Sequence, residues 1–495
     1  MNKVEKRDCK IDNKKKNHTK KNTKSGKRNQ SPEIMGVMYF FVTLFLVMIC
    51  YIGYFVYSDR EKLINNSYNP RQAIIAEQNI RGTIFSRDMD ILAETKTSKS
   101  GKEKRIYPYN ELFSHAIGFS SNGRLGVEAS ANYYLITSDI TVDEKVKNEL
   151  SGVKNPADNV ITTLDVDIQQ AAYDALGAYK GAIIAMEPDT GKILAMVSKP
   201  DFDPNEISTI WEDIINDKTS TVLLNRATQG LYPPGSTFKI ITALEFMREN
   251  PDTFQNYQYT CNGKFKLEDS TIQCYHGSVH GSVDLTQSFA KSCNSSFANI
   301  GTSLHYGDFE KTLSQLLFNQ ALPVDFAYKK SSIGVTADTT NVDMMQMAIG
   351  QGATQMSPLH LAMITSSVAN DGILMKPYII DEITNGKNIN VKKNTTEKYG
   401  TLMSAEEAAE LKTLMEAVIE SGTGTKLSGL SYTAAGKTGS AEYNAVKEDS
   451  HAWFTGFAPV KNPKIVVTVI LEGAGSGGDY AVPIAKRVFD AYFKE

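Results

Sequence analysis

The sequence predicts an α+β fold, in which one antiparallel sheet flanked by helices draws its strands from both ends of a domain spanning 157–495. Three observations predict it. A hairpin signal, Gly181-Ala-Ile-Ile-Ala-Met-Glu-Pro-Asp-Thr-Gly-Lys-Ile-Leu-Ala-Met-Val-Ser198, stands near the domain's start. Three apolar strand runs, 432–441, 452–458 and 464–471, stand near its end. The stretch between, from Leu224 to about Asp371, reads as helices and loops. Ahead of this domain stand a basic tail (1–33), an uncharged apolar run (34–57) and a smaller region (58–156).

The tail and the apolar run explain each other. Residues 1–28 hold twelve Lys/Arg and three acidic residues, so the formal charge of −3 divides into +9 on the tail and −12 on the rest. A polar, lysine-rich tail has nothing to bury and is predicted to be disordered. Ile34–Tyr57 then runs 24 residues without a charge, enough to cross ~30 Å of hydrocarbon with some tilt. A cleaved signal sequence has a shorter apolar core and a small-residue cleavage site, and neither is present. The preceding lysines predict a cytoplasmic N-terminus, and Tyr51, Tyr54 and Tyr57 suit the far interface. Everything from Ser58 onward is expected outside the cytoplasm on this one anchor. A basic tail abutting a span, with an acidic exported part, is a topology signal with some attraction to anionic lipid; no nucleic acid partner is expected.

In 58–156, Arg81-Gly-Thr-Ile-Phe-Ser-Arg-Asp-Met-Asp-Ile-Leu-Ala93 reads as two short strands about an Asp-containing turn. Arg124-Leu-Gly-Val-Glu128 precedes a predicted helix at Ala129–Leu135, and the Lys/Ser-rich Lys96–Arg105 reads as an exposed loop. The region is too short and irregular for an enzyme and reads as a pedestal. Beyond it, Ile161–Leu176 predicts a strand leading into an Asp-capped helix. Ser357-Pro358 predicts a helix start with proline in the first turn, and Pro483–Phe493 reads as a last amphipathic helix.

The chemistry concentrates in three places. Tyr232-Pro-Pro-Gly-Ser-Thr-Phe-Lys239 stops the backbone sharply and then opens an apolar-periodic run, Phe238–Met247. Ser236 thus stands at a helix start, where free N–H groups favour developing negative charge. Lys239, one turn on, shares its face, so a nucleophile and its base are within reach. Alone the pattern is weak: about two chance Ser-x-x-Lys matches are expected in ~500 residues, and Ser288-Phe-Ala-Lys291 is such a decoy. Serine is also an ordinary helix cap. The second place is Ser292-Cys-Asn294; Ser67-Tyr-Asn69 and Ser120-Ser-Asn122 show that this pattern too is common. The third is Lys437-Thr-Gly439 with Ser440, which follows an apolar run and occurs once. Its glycine allows close approach to the strand backbone, whose N–H and C=O groups could receive an extended peptide.

Taken together, Ser236-Thr-Phe-Lys239, Ser292-Cys-Asn294 and Lys437-Thr-Gly439 stand in the order and spacing of the penicillin-binding transpeptidases. The exported chain resembles a class B penicillin-binding protein. Arg81–Ala93, Arg124–Glu128, Gly350–Ala362 and His451–Pro459 match as well, with Ser86 where Asp and Ser357 where Thr is usual. The resemblance implies a serine β-lactamase/penicillin-binding transpeptidase fold on a small pedestal, needing no metal or organic cofactor. It implies that Ser236 attacks the penultimate D-Ala of a D-Ala-D-Ala stem peptide, with Lys239 as base. Ser292 would relay the proton and Asn294 would hold the substrate amide and Lys239. Lys437 and Thr438 would hold the terminal carboxylate beside Gly439, and the N–H groups of Ser236 and Ser440 would form the oxyanion hole. It further implies β-lactams as covalent inhibitors and a SEDS-family glycan polymerase as partner.

Other readings are weaker. A class A β-lactamase needs a Glu-x-x-Leu-Asn loop between the second and third motifs, and Glu382-Ile-Thr-Asn385 lacks the Leu. A bifunctional protein needs a glycosyltransferase domain that 58–156 is too small to hold. A β-lactam receptor needs a larger inward-facing signalling region, and a scaffold without turnover sits poorly with intact Ser236, Lys239 and Lys437. Gly473-Ala-Gly-Ser-Gly-Gly478 imitates a dinucleotide fingerprint, but neither a second strand nor the required acidic residue follows it. Among the cysteines, Cys9 and Cys50 fall in the tail and the span. Cys261 and Cys274 are open to a disulfide, to free thiols or, with His276 and His280, to zinc. Cys293 is expected to point away from the cleft, His451 to border it, and His360 to be a satisfied core residue.

Overall fold

The computed structural model describes residues 32–65, 71–336, 338–442 and 450–494; the basic-tail expectation and Cys9 lie outside them. The chain divides into two units, Met1–Leu63 and Ile64–Glu495. Pro32–Asn65 forms one helix, and none of its apolar segment Pro32–Ser58, which lies in the first unit, is buried by protein. Those 27 residues rise ~40 Å at 1.5 Å each, more than the ~30 Å of a hydrocarbon core. This is the one helix among the described residues that is long and apolar enough to cross a membrane.

The second unit is organised on a five-stranded antiparallel sheet. Its order is Ala435–Glu442, Ser450–Ala458, Ile465–Leu471, Gly181–Met186, Ile193–Lys199. The two ends of the domain thus meet where Ile465–Leu471 pairs with Gly181–Met186, as the sequence predicts. The inner strands are buried at every position, because helices cover both faces. Val166–Leu176 and Val482–Phe493 pack together on one side, and Pro358–Ala369 lies against three strands on the other. Such strands read as continuous apolar runs rather than alternating ones, since neither face meets water. Where hydroxyls intrude they satisfy one another: Thr455 Oγ1 lies 2.7 Å from both Thr365 and Thr468 Oγ1.

Local signals place the helices. Asp165 caps Val166–Leu176 by accepting from Ile168 N, and Ser357 caps Pro358–Ala369 by accepting from His360 N. His360 is a fully buried core histidine as expected, but only half satisfied: Nε2 lies 2.6 Å from Leu316 O, while Nδ1 is buried with no hydrogen-bond partner.

A second sheet, of six mostly short strands, runs Asn390–Lys393, Ile380–Thr384, Asn159–Thr162, Ile84–Phe85, Ile91–Thr97, Glu103–Ile106. The two-strand reading of Arg81–Ala93 holds, and Ser86 does the turn chemistry of the usual Asp: its Oγ accepts from Asp88 N and Asp90 N. Lys96–Arg105 departs from expectation. It is no loop but the tip of a hairpin pairing Glu94 with Ile106 and Lys96 with Lys104. The lysines face water while Arg105, on the other face, reaches the buried Glu128. A second departure lies in 224–371, where four short strands, Gln258–Cys261, Lys264–Leu267, Ser270–Gln273 and Gly281–Asp284, interrupt the helices. They alternate exposed and half-buried positions with too little apolar residue to announce strands.

Candidate active site

The nucleophile segment is clamped before it begins. Tyr232 exchanges both backbone hydrogen bonds with Met356, and its hydroxyl donates to Glu472 Oε1 at 2.8 Å. Trp453 Nε1 donates to Pro233 O at 3.0 Å. Gly235 then takes φ +53°, and a Cβ there would meet Ser440 O at 2.9 Å, so glycine fits both the conformation and the space. The chain enters a 3₁₀ turn, Gly235–Phe238, that runs directly into the helix Lys239–Glu249. Phe238, Ile240, Ile241 and Leu244 are buried and anchor that helix; Ser236 stays half-buried at its start, facing the cleft.

Three elements bring the motifs together. Lys239 Nζ lies 3.0 Å from Ser236 Oγ, 2.7 Å from Asn294 Oδ1, 2.8 Å from Ser292 O and 3.3 Å from Ser292 Oγ. Lys437 Nζ approaches from the edge strand, 2.9 Å from the same Ser292 Oγ and 3.1 Å from Thr438 O. Ser292 therefore bridges the two amines. It takes φ +55° in the link between the helices Leu285–Ala290 and Asn294–Ser303.

Both lysines are 0% exposed. Burial lowers Lys239 to about 7, with the sulfurs of Cys293 and Cys274 pulling weakly the other way. Lys437 is lowered well below its ordinary value, first by burial and then by the charge of Lys239.

The Lys-Thr-Gly strand lies at the edge of the sheet, with Gly439 opposite Trp453. The partner its glycine admits is the chain's own nucleophile turn: a Cβ on Gly439 would meet Pro234 O and Thr237 Cγ2 at 3.1 Å each. Thr438 Oγ1 lies 2.5 Å from Thr423 Oγ1, and Ser440 Oγ accepts from Gly477 N at 3.3 Å. Ser236, Ser292, Asn294, Thr438, Gly439 and Ser440 all line one cleft of about 460 Å³.

Other expectations sort themselves by position. The decoy is split: Ser288 is buried and accepts from Ser296 Oγ, while Lys291 lies on the cleft wall. His451 does not line the cleft; it packs behind Tyr232, with Nδ1 accepting from Gly473 N. Cys293 points away from the cleft into a buried cluster with Cys261 and Cys274. Cys261 and Cys274 form no disulfide, their sulfurs standing 3.8 Å apart. His280 joins them, and His276 does not: it is exposed at φ +51°, with its ring against Tyr275. Motif reading missed Thr423, Tyr275 and Ser278, which line the cleft from loops whose local sequence carries no signal.

Comparisons with known proteins agree with this geometry. Residues 181–490 match the penicillin binding protein transpeptidase domain, and 81–160 match the penicillin binding protein A dimerisation domain. The peptidoglycan D,D-transpeptidase PbpA of Mycolicibacterium smegmatis is 32% identical over 84% of this chain and 89% of its own length. Penicillin-binding protein A from M. tuberculosis, solved as its imipenem acyl-enzyme complex, superposes with a TM-score of 0.77 at 28% identity, over 84% of this chain and 99% of that one. The D,D-transpeptidase domain of a peptidoglycan glycosyltransferase from Eggerthella lenta gives 0.76 at 28% identity, over 84% and 99%. With two buried lysines meeting at Ser292, a serine held at a helix start, and matches that take in both the pedestal and the catalytic sheet, the chain belongs to the penicillin-binding transpeptidases, as a class B penicillin-binding protein.

Proposed function

We propose that the protein is a serine-type peptidoglycan D,D-transpeptidase that crosslinks stem peptides and is acylated by penicillin. The observation that carries this reading is the buried Lys239 amine, 3.0 Å from Ser236 Oγ. A lysine whose pKa is lowered to about 7 is neutral in a large fraction of molecules at physiological pH and can accept the serine proton.

The steps follow from the contacts. Ser236 Oγ passes its proton to Lys239 Nζ and bonds to the carbonyl carbon of the penultimate D-Ala. The oxyanion that forms is held by the N–H groups of Ser236 and Ser440, aided by the helix start. As the C–N bond breaks, the proton reaches the departing amine through Ser292 Oγ, which lies 3.3 and 2.9 Å from the two amines. D-Alanine leaves and an ester remains on Ser236. An amine from a second stem peptide attacks that ester, gives up a proton along the same route, and frees Ser236 as the crosslinking amide forms. Lys437 and Thr438 bind the terminal carboxylate, with Thr423 orienting the Thr438 hydroxyl, and Asn294 holds the substrate amide. A β-lactam enters by the same attack; its amine stays tethered after ring opening and obstructs the acceptor.

The domain division 1–33, 34–57, 58–156 and 157–495, a cytoplasmic N-terminus and a catalytic domain outside the cell membrane belong to this reading. So does pairing with a SEDS-family polymerase through the span and pedestal, which supplies the glycan strands whose peptides are joined.

Labelling membranes with fluorescent penicillin tests the nucleophile: Ser236→Ala is expected to lose all label, and full labelling of that variant refutes the assignment. Muropeptide analysis of a Ser236→Ala strain then separates enzyme from scaffold. Reduced crosslinking is expected, and unchanged crosslinking favours a scaffold.

A further inference from the structure

Before the second motif the chain makes an excursion of two short antiparallel pairs, Gln258–Cys261 with Gly281–Asp284 and Lys264–Leu267 with Ser270–Gln273. From 258 to 284, the buried residues are Cys261, Gly263, Cys274 and Val283. So small and polar a unit lacks a hydrophobic core and needs another fastening. Its interior holds sulfur instead. The thiols of Cys261, Cys274 and Cys293 are 0–2% exposed and form a cluster of their own. The Cys274 sulfur lies 3.8 Å from those of Cys261 and Cys293, and His280 Nδ1 lies 3.4 Å from the Cys261 sulfur. All four ligand atoms fall within 4.8 Å of one another.

These spacings discriminate between the open alternatives. A disulfide would bring two sulfurs to about 2.05 Å. Zinc bound tetrahedrally, at about 2.3 Å from sulfur and about 2.05 Å from nitrogen, sets ligand–ligand edges of about 3.8 Å for S–S and about 3.5 Å for S–N. The two sulfur–sulfur separations of 3.8 Å and the sulfur–nitrogen separation of 3.4 Å match those edges, and the remaining pairs lie within 4.8 Å. Each sulfur also accepts a backbone N–H: from Gly263 on Cys261 at 3.4 Å, Ser295 on Cys274 at 3.5 Å, and Ser296 on Cys293 at 3.4 Å. Ser295 Oγ adds a bond to Cys261 Sγ at 3.1 Å. Donors aimed at sulfur stabilise the thiolates that a metal requires and orient them. A soft, thiolate-rich set with one imidazole selects zinc over hard cations.

We propose that Cys261, Cys274, His280 and Cys293 hold one zinc ion in a tetrahedral Cys₃His site, and that this ion fixes the excursion and the Ser292–Asn294 segment as adjoining walls of the cleft. On binding, the metal replaces three thiol protons, which pass to solvent. Four protein ligands leave no open coordination position, so the ion is structural and takes no part in acyl transfer. Its link to the cleft is short: Cys293 stands between Ser292 and Asn294, and Asn294 Nδ2 donates to Gln273 O at 3.0 Å, next to Cys274. Tyr275 and Ser278 line the same cleft as Ser236. The positioning half of the inference rests on the role assigned to Ser292 and Asn294; the metal site does not.

Full-length protein in detergent, in a Cys9→Ser, Cys50→Ser background, provides the test. Elemental analysis is expected to find about one zinc per chain, reduced at least tenfold by Cys274→Ser or His280→Ala and restored by His280→Cys, which rebuilds a four-ligand set. Cobalt added to the stripped protein is expected to give a thiolate-to-cobalt charge-transfer band. If Cys274→Ser fails to fold, the zinc content and the cobalt band of the background protein decide the matter. Background protein that holds no zinc and gives no band, or Cys274→Ser protein that keeps its zinc, overturns the site. Stripping zinc is expected to slow acylation by fluorescent penicillin by roughly 10–100-fold, reversibly; an unchanged rate overturns the positioning role, whatever the metal content.

Discussion

In the pedestal, Glu128 is 0% exposed and held between two guanidiniums, with Arg81 Nε and Arg105 Nε each 2.7 Å from its oxygens and Tyr107 OH at 3.1 Å. In the cleft, Lys239 and Lys437 are equally buried, yet no carboxylate among the described residues bonds either amine. The two clusters bury charge in opposite ways. Burial works against the Glu128 carboxylate, but Arg105 and Arg81 outweigh it and hold the group below its usual range, so its charge is fixed and serves the fold. Nothing outweighs burial at the lysines, whose protons are loosely held. A compensated buried charge is inert, whereas an uncompensated one is a poised base that costs stability.

The sharpest way to break this contrast is Lys239→Met. Acylation by penicillin is expected to fall about 10²–10⁴-fold, while the melting temperature rises, because a buried cation without a counter-charge has been removed. The sign follows from linkage. With the folded pKa near 7 and the unfolded one near 10.4, the unfolded chain binds more protons between those values, and stability climbs with pH across that window. Lys239→Met is expected to flatten that climb, and a Tm that falls at neutral pH refutes the contrast.

Glu128→Gln tests the other side. Two guanidiniums are left buried without their partner, at a cost of about 3–5 kcal/mol measured by denaturant unfolding, with the acylation rate of the folded fraction nearly unchanged. Because the folded pKa of Glu128 is depressed, its contribution is present above the unfolded value of ~4.3 and lost as pH falls through the folded one. Acid unfolding of the wild type is therefore expected to begin below about pH 4.3, a limb that Glu128→Gln removes.

A smaller effect sharpens the account of the cleft. The wild-type acylation rate is expected to rise about tenfold per pH unit below 7 and level off above it, as Lys239 loses its proton. In Lys437→Met the limb is expected to stay within about half a unit of its wild-type position, because burial is the cause that lowers Lys239 and Lys437, itself lowered well below its ordinary value, adds little charge beside it. A limb that moves further up than that assigns part of the low pKa to the charge of Lys437. Smallest of all, Thr423→Val removes the hydroxyl that meets Thr438 and is expected to lower acylation about fivefold, the worth of about 1 kcal/mol.

The motifs were legible because each is local: a capping serine, a base one turn on, a glycine beside a threonine on an apolar strand. The same holds for the span, for the Asp165 and Ser357 caps, and for the runs that became the five-stranded sheet. Local patterns of this kind depend on bonds three or four residues apart or on two-residue alternation, and these the sequence states directly. It could not state which distant residues converge. Arg105 looked like part of a loop because its partner, Glu128, is 23 residues on. Cys293 looked like a spacer in the second motif because its neighbours in space, Cys261 and Cys274, arrive from the hairpins before it. His280 and His276 are indistinguishable by spacing, and only the backbone, left-handed at His276 and extended into a strand after His280, decides which turns inward. The depressed base likewise exists only in the folded molecule. Desolvation is the work of everything packed around Lys239, and no residue in its own segment encodes it.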